Sequence, residues 1–307
     1  MMSKMITKNG LAVRSIAAQL VQLDIGSRIP RVEDYSKQFG VGRGTIQSAL
    51  NFLQEEGAVL LEASGHLGTK IVQADKKKLW AMAGLSNILG IMPLPYSKRY
   101  EGLATALCEV FEQEDIPFGL AYQRGSGARI SGVKNGRYDF AICSGTSAKK
   151  AVEDEPELEI AVNLGKSTFV GGHALILRPG MGEQIKDGMR VALDPVSIDQ
   201  TLMTQRLVGD KNVQYVYKPY NQVIEMFKND LIDAMIWNSD EFEEKFANLS
   251  CVKVEIEEGS EDSGTEAILV CKKENVILKT ILREVLIPEK IAEIQKLVME
   301  NKKIPKY

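Results

Sequence analysis

From residue 87 to the C-terminus, short apolar runs alternate with amphipathic stretches, and this alternation restricts the fold more than any other feature of the chain. Apolar runs at 87–92, 118–123, 138–143, 159–164, 168–178, 190–194, 213–217, 232–237, 251–256 and 266–272 read as strands. Stretches at 100–114, 197–208, 219–229, 240–247, 276–285 and 288–301 read as helices. Strands that alternate with helices imply parallel sheets assembled from β-α-β units. The region also echoes itself. V-K-N-G-R-Y-D-F-A-I at 133–142 resembles F-K-N-D-L-I-D-A-M-I at 227–236. In each copy a helix ends near Lys134 or Lys228, a turn follows, and then comes a strand carrying Asp139 or Asp233. Two similar lobes would produce such an echo.

The first quarter has a different texture. Val13, Ile16, Ala17, Leu20 and Leu23 recur at helical spacing and predict a helix over 9–24 that Gly26 can end. Pro30 stands at the start of a short second helix with Val32, Tyr35 and Phe39 on its apolar face, closed by Gly40. A third helix, from about 42 to 56, turns Ile46, Ala49, Leu50 and Leu53 inward and ends at Gly57. Two apolar runs, Ala58–Leu61 and Lys70–Val72, joined by S-G-H-L-G at 64–68, read as a β-hairpin. Charge follows the same division. Residues 1–78 carry 11 Lys+Arg against 7 Asp+Glu, a balance of +4, and the remainder carries 27 against 34, a balance of −7. A basic unit on an acidic body suits a DNA-binding module joined to something else.

Combined, the spacing over 25–69 resembles the winged helix-turn-helix of GntR-type bacterial regulators. The parts that match are the I-P entry to the second helix, F-G-V-x-R-x-T into the third, the A-L-x-x-L-x-x-E-G close and a late G-T in the wing. On that resemblance the third helix is the one that enters a major groove, which accepts a single helix and rewards donors on its free face. Arg43 lies in its first turn, within reach of a phosphate or a guanine edge. Thr45 and Ser48 suit phosphates, and Gln47 suits adenine. His66 and Lys70 place the wing against the backbone or minor groove. Glu33, Gly42, Gly44 and Gln47 depart from the arginine- and hydroxyl-rich pattern of the family, which points to few phosphate contacts and to a homodimer on an inverted repeat.

Residues 87–307 resemble the two-lobed fold of type-2 periplasmic binding proteins, which LysR-type and related regulators use as an internal sensor, with crossover strands expected at 168–178 and 266–272. Head and body together look most like the YhfZ-type group of bacterial regulators. The expected fold is therefore α/β overall: a winged helix-turn-helix at 1–75, mainly α with a β-hairpin wing, a linker at 76–86, and a two-lobed α/β domain at 87–307. In such a body the ligand lies between lobes, met by loops at the C-terminal ends of strands and by helix N-termini. The candidate contacts are Tyr96, Ser97, Arg124, Ser126, Arg129, Ser144, Thr146, His173, Asp194, Ser197 and Asn238. Either Arg124 or Arg129 suits a bidentate clamp on a carboxylate or phosphate, so a small anionic effector is expected. His173 suits core or crossover packing as well as binding, as does Trp237.

Other classes fit less well. The four cysteines are far apart and outside any C-x-x-C pair, and with two histidines in the chain no metal or other cofactor is expected. No nucleophile elbow, Walker loop or dinucleotide fingerprint occurs, so catalysis is not expected, although an enzyme or plain binding protein on the same two-lobed fold remains the alternative. No apolar run reaches the roughly 18 residues of a membrane span, and no secretory signal stands at the start, so the cytoplasm is the expected compartment.

Overall fold

The computed structural model describes residues 8–63, 65, 68–84, 87–256 and 264–307. The chain divides into two compact units. One comprises residues up to Ile88 together with Phe111–Phe118; the other comprises Leu89–Val110 and Gly119–Tyr307.

The N-terminal unit begins with α1 (Lys8–Leu20), followed by β1 (Arg28–Ile29), α2 (Val32–Phe39), α3 (Arg43–Glu55), β2 (Val59–Ala63), β3 (Thr69–Ala74) and α4 (Lys76–Met82). The apolar periodicity produces these helices directly. Ala12, Ile16, Ala17 and Leu20 of α1 pack on Ile46, Ala49, Leu50 and Leu53 of α3, all buried. Burying each of the larger aliphatic side chains stabilises the unit by roughly 1.5–3 kcal/mol. The first helix stops at Leu20, earlier than its apolar stripe extends, and the chain turns through Asp24–Ser27. Between α2 and α3, Gly40 adopts a left-handed conformation (φ 64°) that residues with a Cβ disfavour, and Ser36 Oγ donates to Val41 O at 2.6 Å to fix the turn.

Two features were not legible as separate elements. Arg28–Ile29 adds a third strand to the wing sheet, in the antiparallel order β1-β3-β2, because Gly26 and Ser27 exchange backbone hydrogen bonds with Ile71. The segment 76–86, which three lysines mark as a linker, instead forms α4 over Lys76–Met82. Asp75 caps it by accepting from Lys78 N at 2.9 Å, and Leu79 and Trp80 are buried on the side that packs against α1.

The larger unit contains most of β4 (Ile88–Met92), α5 (Lys98–Gln113) and β5 (Phe118–Tyr122), then α6 (Ser126–Lys134), β6 (Phe140–Ser144), α7 (Gly145–Asp154) and β7 (Leu158–Asn163), then β8 (His173–Leu177), β9 (Arg190–Leu193), α8 (Ile198–Val208), β10 (Gln214–Tyr217), α9 (Val223–Lys228), β11 (Ala234–Asn238), α10 (Phe242–Phe246) and β12 (Val252–Ile256), and finally β13 (Ala267–Lys272), α11 (Val276–Val285) and α12 (Pro288–Met299). The strands form two five-stranded sheets, β5-β4-β6-β13-β7 and β10-β9-β11-β8-β12. Both sheets have one order. The second strand of the lobe lies outside the first, the third follows, then the strand that arrives from or returns to the other lobe, then the fourth. The arriving and returning strands, β8 and β13, run antiparallel to their neighbours, whereas β9–β10, β9–β11 and β4–β6 are parallel.

The internal echo has a physical role. Asp139 accepts from Leu89 N at 2.8 Å and its own N–H donates to Leu89 O at 2.8 Å. Asp233 does the same at Arg190, accepting from the backbone N–H at 2.8 Å and donating to the carbonyl at 2.8 Å. Each aspartate thus clasps the first strand of its own lobe to the entry of the third. Sheet faces separate by alternation: Ala174 and Ile176 of β8 join Met235 and Trp237 of β11 in one core, while Leu175, Leu177, Ala234 and Ile236 face the other.

The expected strand at 168–178 shortens to β8. Residues 164–169 instead run beside 265–267 as paired crossovers, with Leu164 N to Ala267 O at 3.0 Å, Phe169 N to Thr265 O at 2.9 Å and Ala267 N to Thr168 Oγ1 at 2.9 Å. Gln295 of α12, 3% exposed, donates to Thr168 O and Arg99 O, and Arg99 forms a two-pronged ion pair with Asp240 at 2.7 Å in both arms.

Candidate functional site

Helix α3 shapes the candidate DNA face. Its buried stripe leaves Arg43, Gly44, Gln47, Ser48 and Asn51 exposed, and Thr45 half-buried. Gln47 Nε2 donates to Asn51 Oδ1 at 3.1 Å, which holds the amide along the helix. Arg43 pairs with Glu33 of α2 at 2.9 Å, both side chains more than half exposed. In high dielectric such a pair is weak and easily exchanged for a phosphate. On the wing, Lys70 is half-buried and stands directly across from the exposed Arg28. Sequence reasoning missed Arg28, because β1 was not legible as a strand. His66 lies outside the described residues.

In the larger unit a cavity of about 230 Å³ opens between the lobes. It brings together Tyr96, Arg124, Ser126, Arg129, His173, Asp194, Ser197 and Asn238 from the sequence candidates. Ser97, Ser144 and Thr146 do not line it. Ser97 faces the N-terminus of α5, accepting from Tyr100 N at 3.3 Å, and Ser144 caps α7, accepting from Ser147 N at 3.1 Å. Small hydroxyl residues ahead of a helix are drawn to capping, which competes with ligand contact. Thr146 lies half-buried in the first turn of α7, away from the cavity.

Linked aromatic rings run through the walls, beside aliphatic side chains such as Leu94, Val196 and Ile236, and the sequence did not reveal them. Trp237 stacks on Tyr220 with ring centres 3.8 Å apart, Tyr220 meets Tyr96 at 6.2 Å, Tyr96 meets Tyr100 at 5.2 Å, and Tyr100 meets Phe169 at 5.3 Å. These five rings come from both lobes and a crossover, and all line the cavity. Trp237 serves packing and cavity alike, since it also belongs to the core beside Phe246. Burial pushes the Tyr96 hydroxyl up to about 12, so it stays a neutral phenol.

Polar groups divide into satisfied acceptors and unsatisfied donors. Asp194, 1% exposed, accepts from Val196 N at 3.1 Å and Tyr220 N at 2.8 Å, and lies 3.5 Å from Arg124. Asp199, at the start of α8, crosses to the other lobe, where Ser144 Oγ donates to it at 2.6 Å and Ser147 Oγ at 3.2 Å; Ser126 Oγ sits 3.1 Å behind Ser147. Burial pushes the Asp199 carboxyl above its ordinary value, against the opposing pull of Ser144, His173, Ser147 and Arg129. The donors are less well met. Arg129 is 4% exposed; its Nε donates to Ile142 O at 3.0 Å and one terminal nitrogen to Gln123 O at 2.9 Å, and no carboxylate among the described residues forms an ion pair with it. Asp240 N donates to Asn238 Oδ1 at 2.9 Å, which orients that amide and leaves Nδ2 buried without an acceptor. Trp237 Nε1 is likewise buried without one. The open N-terminus of α6 adds backbone N–H groups, since Gly125 caps it without a side chain. Gly125 is held at φ 84°, and a Cβ there would lie 2.4 Å from Val196 Cγ1 of the opposite lobe. Among the described residues no cluster of three His, Cys, Asp or Glu side chains suits a metal ion, and no helix is long and apolar enough to cross a membrane.

Comparison with known proteins agrees with this geometry. Residues 24–71 match a helix-turn-helix domain family, and residues 75–307 match the family described as the YhfZ C-terminal domain. The chain is 30% identical over 306 residues to YhfZ of Escherichia coli (strain K12), covering 98% of both chains. The crystal structure of YhfZ from Shigella flexneri is similar at a TM-score of 0.64 and 32% identity, over 75% of this chain and 97% of that one. The periplasmic VFT2 domain of Bordetella pertussis BvgS has a TM-score of 0.53 at 15% identity, over 72% of this chain and 96% of that one. The amino acid ABC transporter substrate-binding protein AbpA of Streptococcus pneumoniae, bound to L-arginine, gives the same TM-score, identity and shares of each chain. The fold is thus α/β overall, with an N-terminal helix-turn-helix and a two-lobed body of the type-2 periplasmic-binding-protein kind. The chain belongs to the YhfZ family.

Proposed function

We propose that this protein is a DNA-binding transcription regulator whose operator affinity changes when a small anionic metabolite fills the cavity of its larger unit. It acts in the cytoplasm as a homodimer on an inverted repeat, without a cofactor and without catalysis. The DNA half of the reading rests on the helix-turn-helix family match and on the exposed face of α3. Arg43 and Gln47 carry base contact, Thr45 and Ser48 phosphate contact, and Lys70 the wing contact, together with His66 and with Arg28 added beside Lys70. Lys70 stands across from Arg28 on one side and Glu62 on the other, so this row of the wing keeps a net positive charge for a phosphate.

The ligand half rests on one observation: Arg129 is a buried guanidinium whose protein partners are two carbonyls rather than a carboxylate. A buried charge with no directly paired counter-ion is costly, and although Asp199 offsets part of that cost at longer range, an incoming anion would lower it further. Tyr96, Arg124, Ser126, His173, Asp194, Ser197 and Asn238 complete the lining. The test is native mass spectrometry of the full chain after incubation with a small-molecule extract of its host. An anion released from the wild type and missing from Arg129→Met is expected. A neutral molecule held equally by both would contradict the reading.

A further inference from the structure

The charges around the cavity narrow the ligand, given the anion-sensing role proposed above. The hydroxyl cluster of Ser126, Ser144 and Ser147 looks built for an anion, yet the protein fills it with its own carboxylate, Asp199 of the facing lobe. Asp194 is likewise answered by two backbone N–H groups and Arg124. Asp194 already has a cationic partner, whereas Asp199 is met by hydroxyls and by the longer-range pull of His173 and Arg129. Of the two arginines, Arg124 already has Asp194, and only Arg129 lacks a carboxylate partner. Arg129 therefore has no directly paired carboxylate, although it attracts Asp199 at longer range, and the buried donors Asn238 Nδ2 and Trp237 Nε1 lack acceptors. Beyond this polar corner five rings, Tyr96, Tyr100, Phe169, Tyr220 and Trp237, line the cavity together with aliphatic side chains such as Leu94, Val196 and Ile236.

The geometry points to a small aromatic monocarboxylate as the ligand, its carboxylate on Arg129 and its ring against the Trp237–Tyr220–Tyr96 stack, with Asp199 as the residue that excludes a second anionic group. Offset or edge-on packing against such rings favours a planar aromatic body over an aliphatic one of similar size. A second carboxylate on the ligand would meet Asp199 in a site of low dielectric, where like charges repel strongly.

Isothermal titration calorimetry of the full chain decides the matter, with benzoate, phenylacetate and indole-3-acetate as aromatic monoanions. Cyclohexanecarboxylate, phthalate and benzylamine serve as the saturated, doubly charged and cationic comparisons. At least one aromatic monoanion is expected to bind about tenfold or more tightly than cyclohexanecarboxylate and phthalate, and benzylamine is expected to give no heat. Arg129→Met is expected to lose the aromatic monoanions, and Asp199→Asn to raise phthalate affinity relative to theirs by about tenfold. Cyclohexanecarboxylate or phthalate binding the wild type as tightly as the aromatic monoanions, but still through Arg129, would overturn the ligand class and leave the anion-sensing role standing. Benzylamine binding while every anion fails would overturn both. Failure of all three aromatic monoanions overturns the inference whatever the others do.

Discussion

Single residues carry the chemistry here, and two of them can be read against physical expectation. Gly125 lets the lobes approach, because any Cβ at that position meets Val196 and the backbone is left-handed. Gly125→Ala is expected to cost more stability, measured by denaturant unfolding, than the roughly 1–2 kcal/mol that a left-handed conformation alone imposes on a residue with a Cβ, since the added Cβ would also lie 2.4 Å from Val196 Cγ1. Asp199 gives a pH signature. Its carboxyl is raised above the ordinary 3.8 mainly by burial, so the folded state favours the protonated form. The stability this contributes is fully present below the ordinary value and is lost as pH rises through the raised one. Thermal unfolding of the wild type against Asp199→Asn between about pH 3 and 8 is expected to show the wild type losing ground to the variant as pH rises. A constant difference across that range would show that Asp199 is not shifted upward.

At the scale of elements, the repeated aspartates offer a matched comparison. Asp233 clasps its strand through the backbone of Arg190 and also binds that guanidinium at 2.6 and 3.0 Å, which holds its carboxyl below the ordinary range. Asp139 makes the same backbone clasp at Leu89. Asp233→Ala is expected to destabilise by about 2–3 kcal/mol and Asp139→Ala by about 1–2 kcal/mol, because a hydrogen bond with ions on both sides outweighs one with a neutral partner. Urea unfolding reads both. The clasp is also why the echo was visible in the sequence: a local contact repeated at one spacing leaves a local trace. The sheet order was not visible, because which strand lies beside which depends on contacts far apart in the chain. The aromatic wall was hidden for the same reason, since Tyr96, Phe169, Tyr220 and Trp237 come from separate loops and strands. The capping roles of Ser97 and Ser144 were hidden for the opposite reason: a serine at a strand end looks the same whether it faces a ligand or the helix behind it. The three lysines at 76–78 concealed α4, whose burial depends on Leu79 and Trp80 just beyond them.

At the scale of the whole molecule, the proposed function asks the polar face of α3 to meet a polyanion and the cavity around Arg129 to meet a small anion. Glu33 tempers the first by holding Arg43. Glu33→Gln is expected to tighten DNA binding modestly, by about two- to fivefold at low salt, and to steepen its salt dependence, as an exposed pair of this kind is worth at most about 1 kcal/mol. Fluorescence anisotropy on a recovered site would read both effects, and unchanged affinity would mean that Arg43 does not reach DNA. The most direct measurement is selection of fragmented host DNA by the purified full chain at about 0.15 M salt, beside Arg43→Ala. Recovery of a few inverted-repeat sites by the wild type and their loss from the variant is the expected result. Recovery of nothing above bulk DNA by the wild type, or the same sites by both proteins, would contradict a regulator that reads DNA through α3.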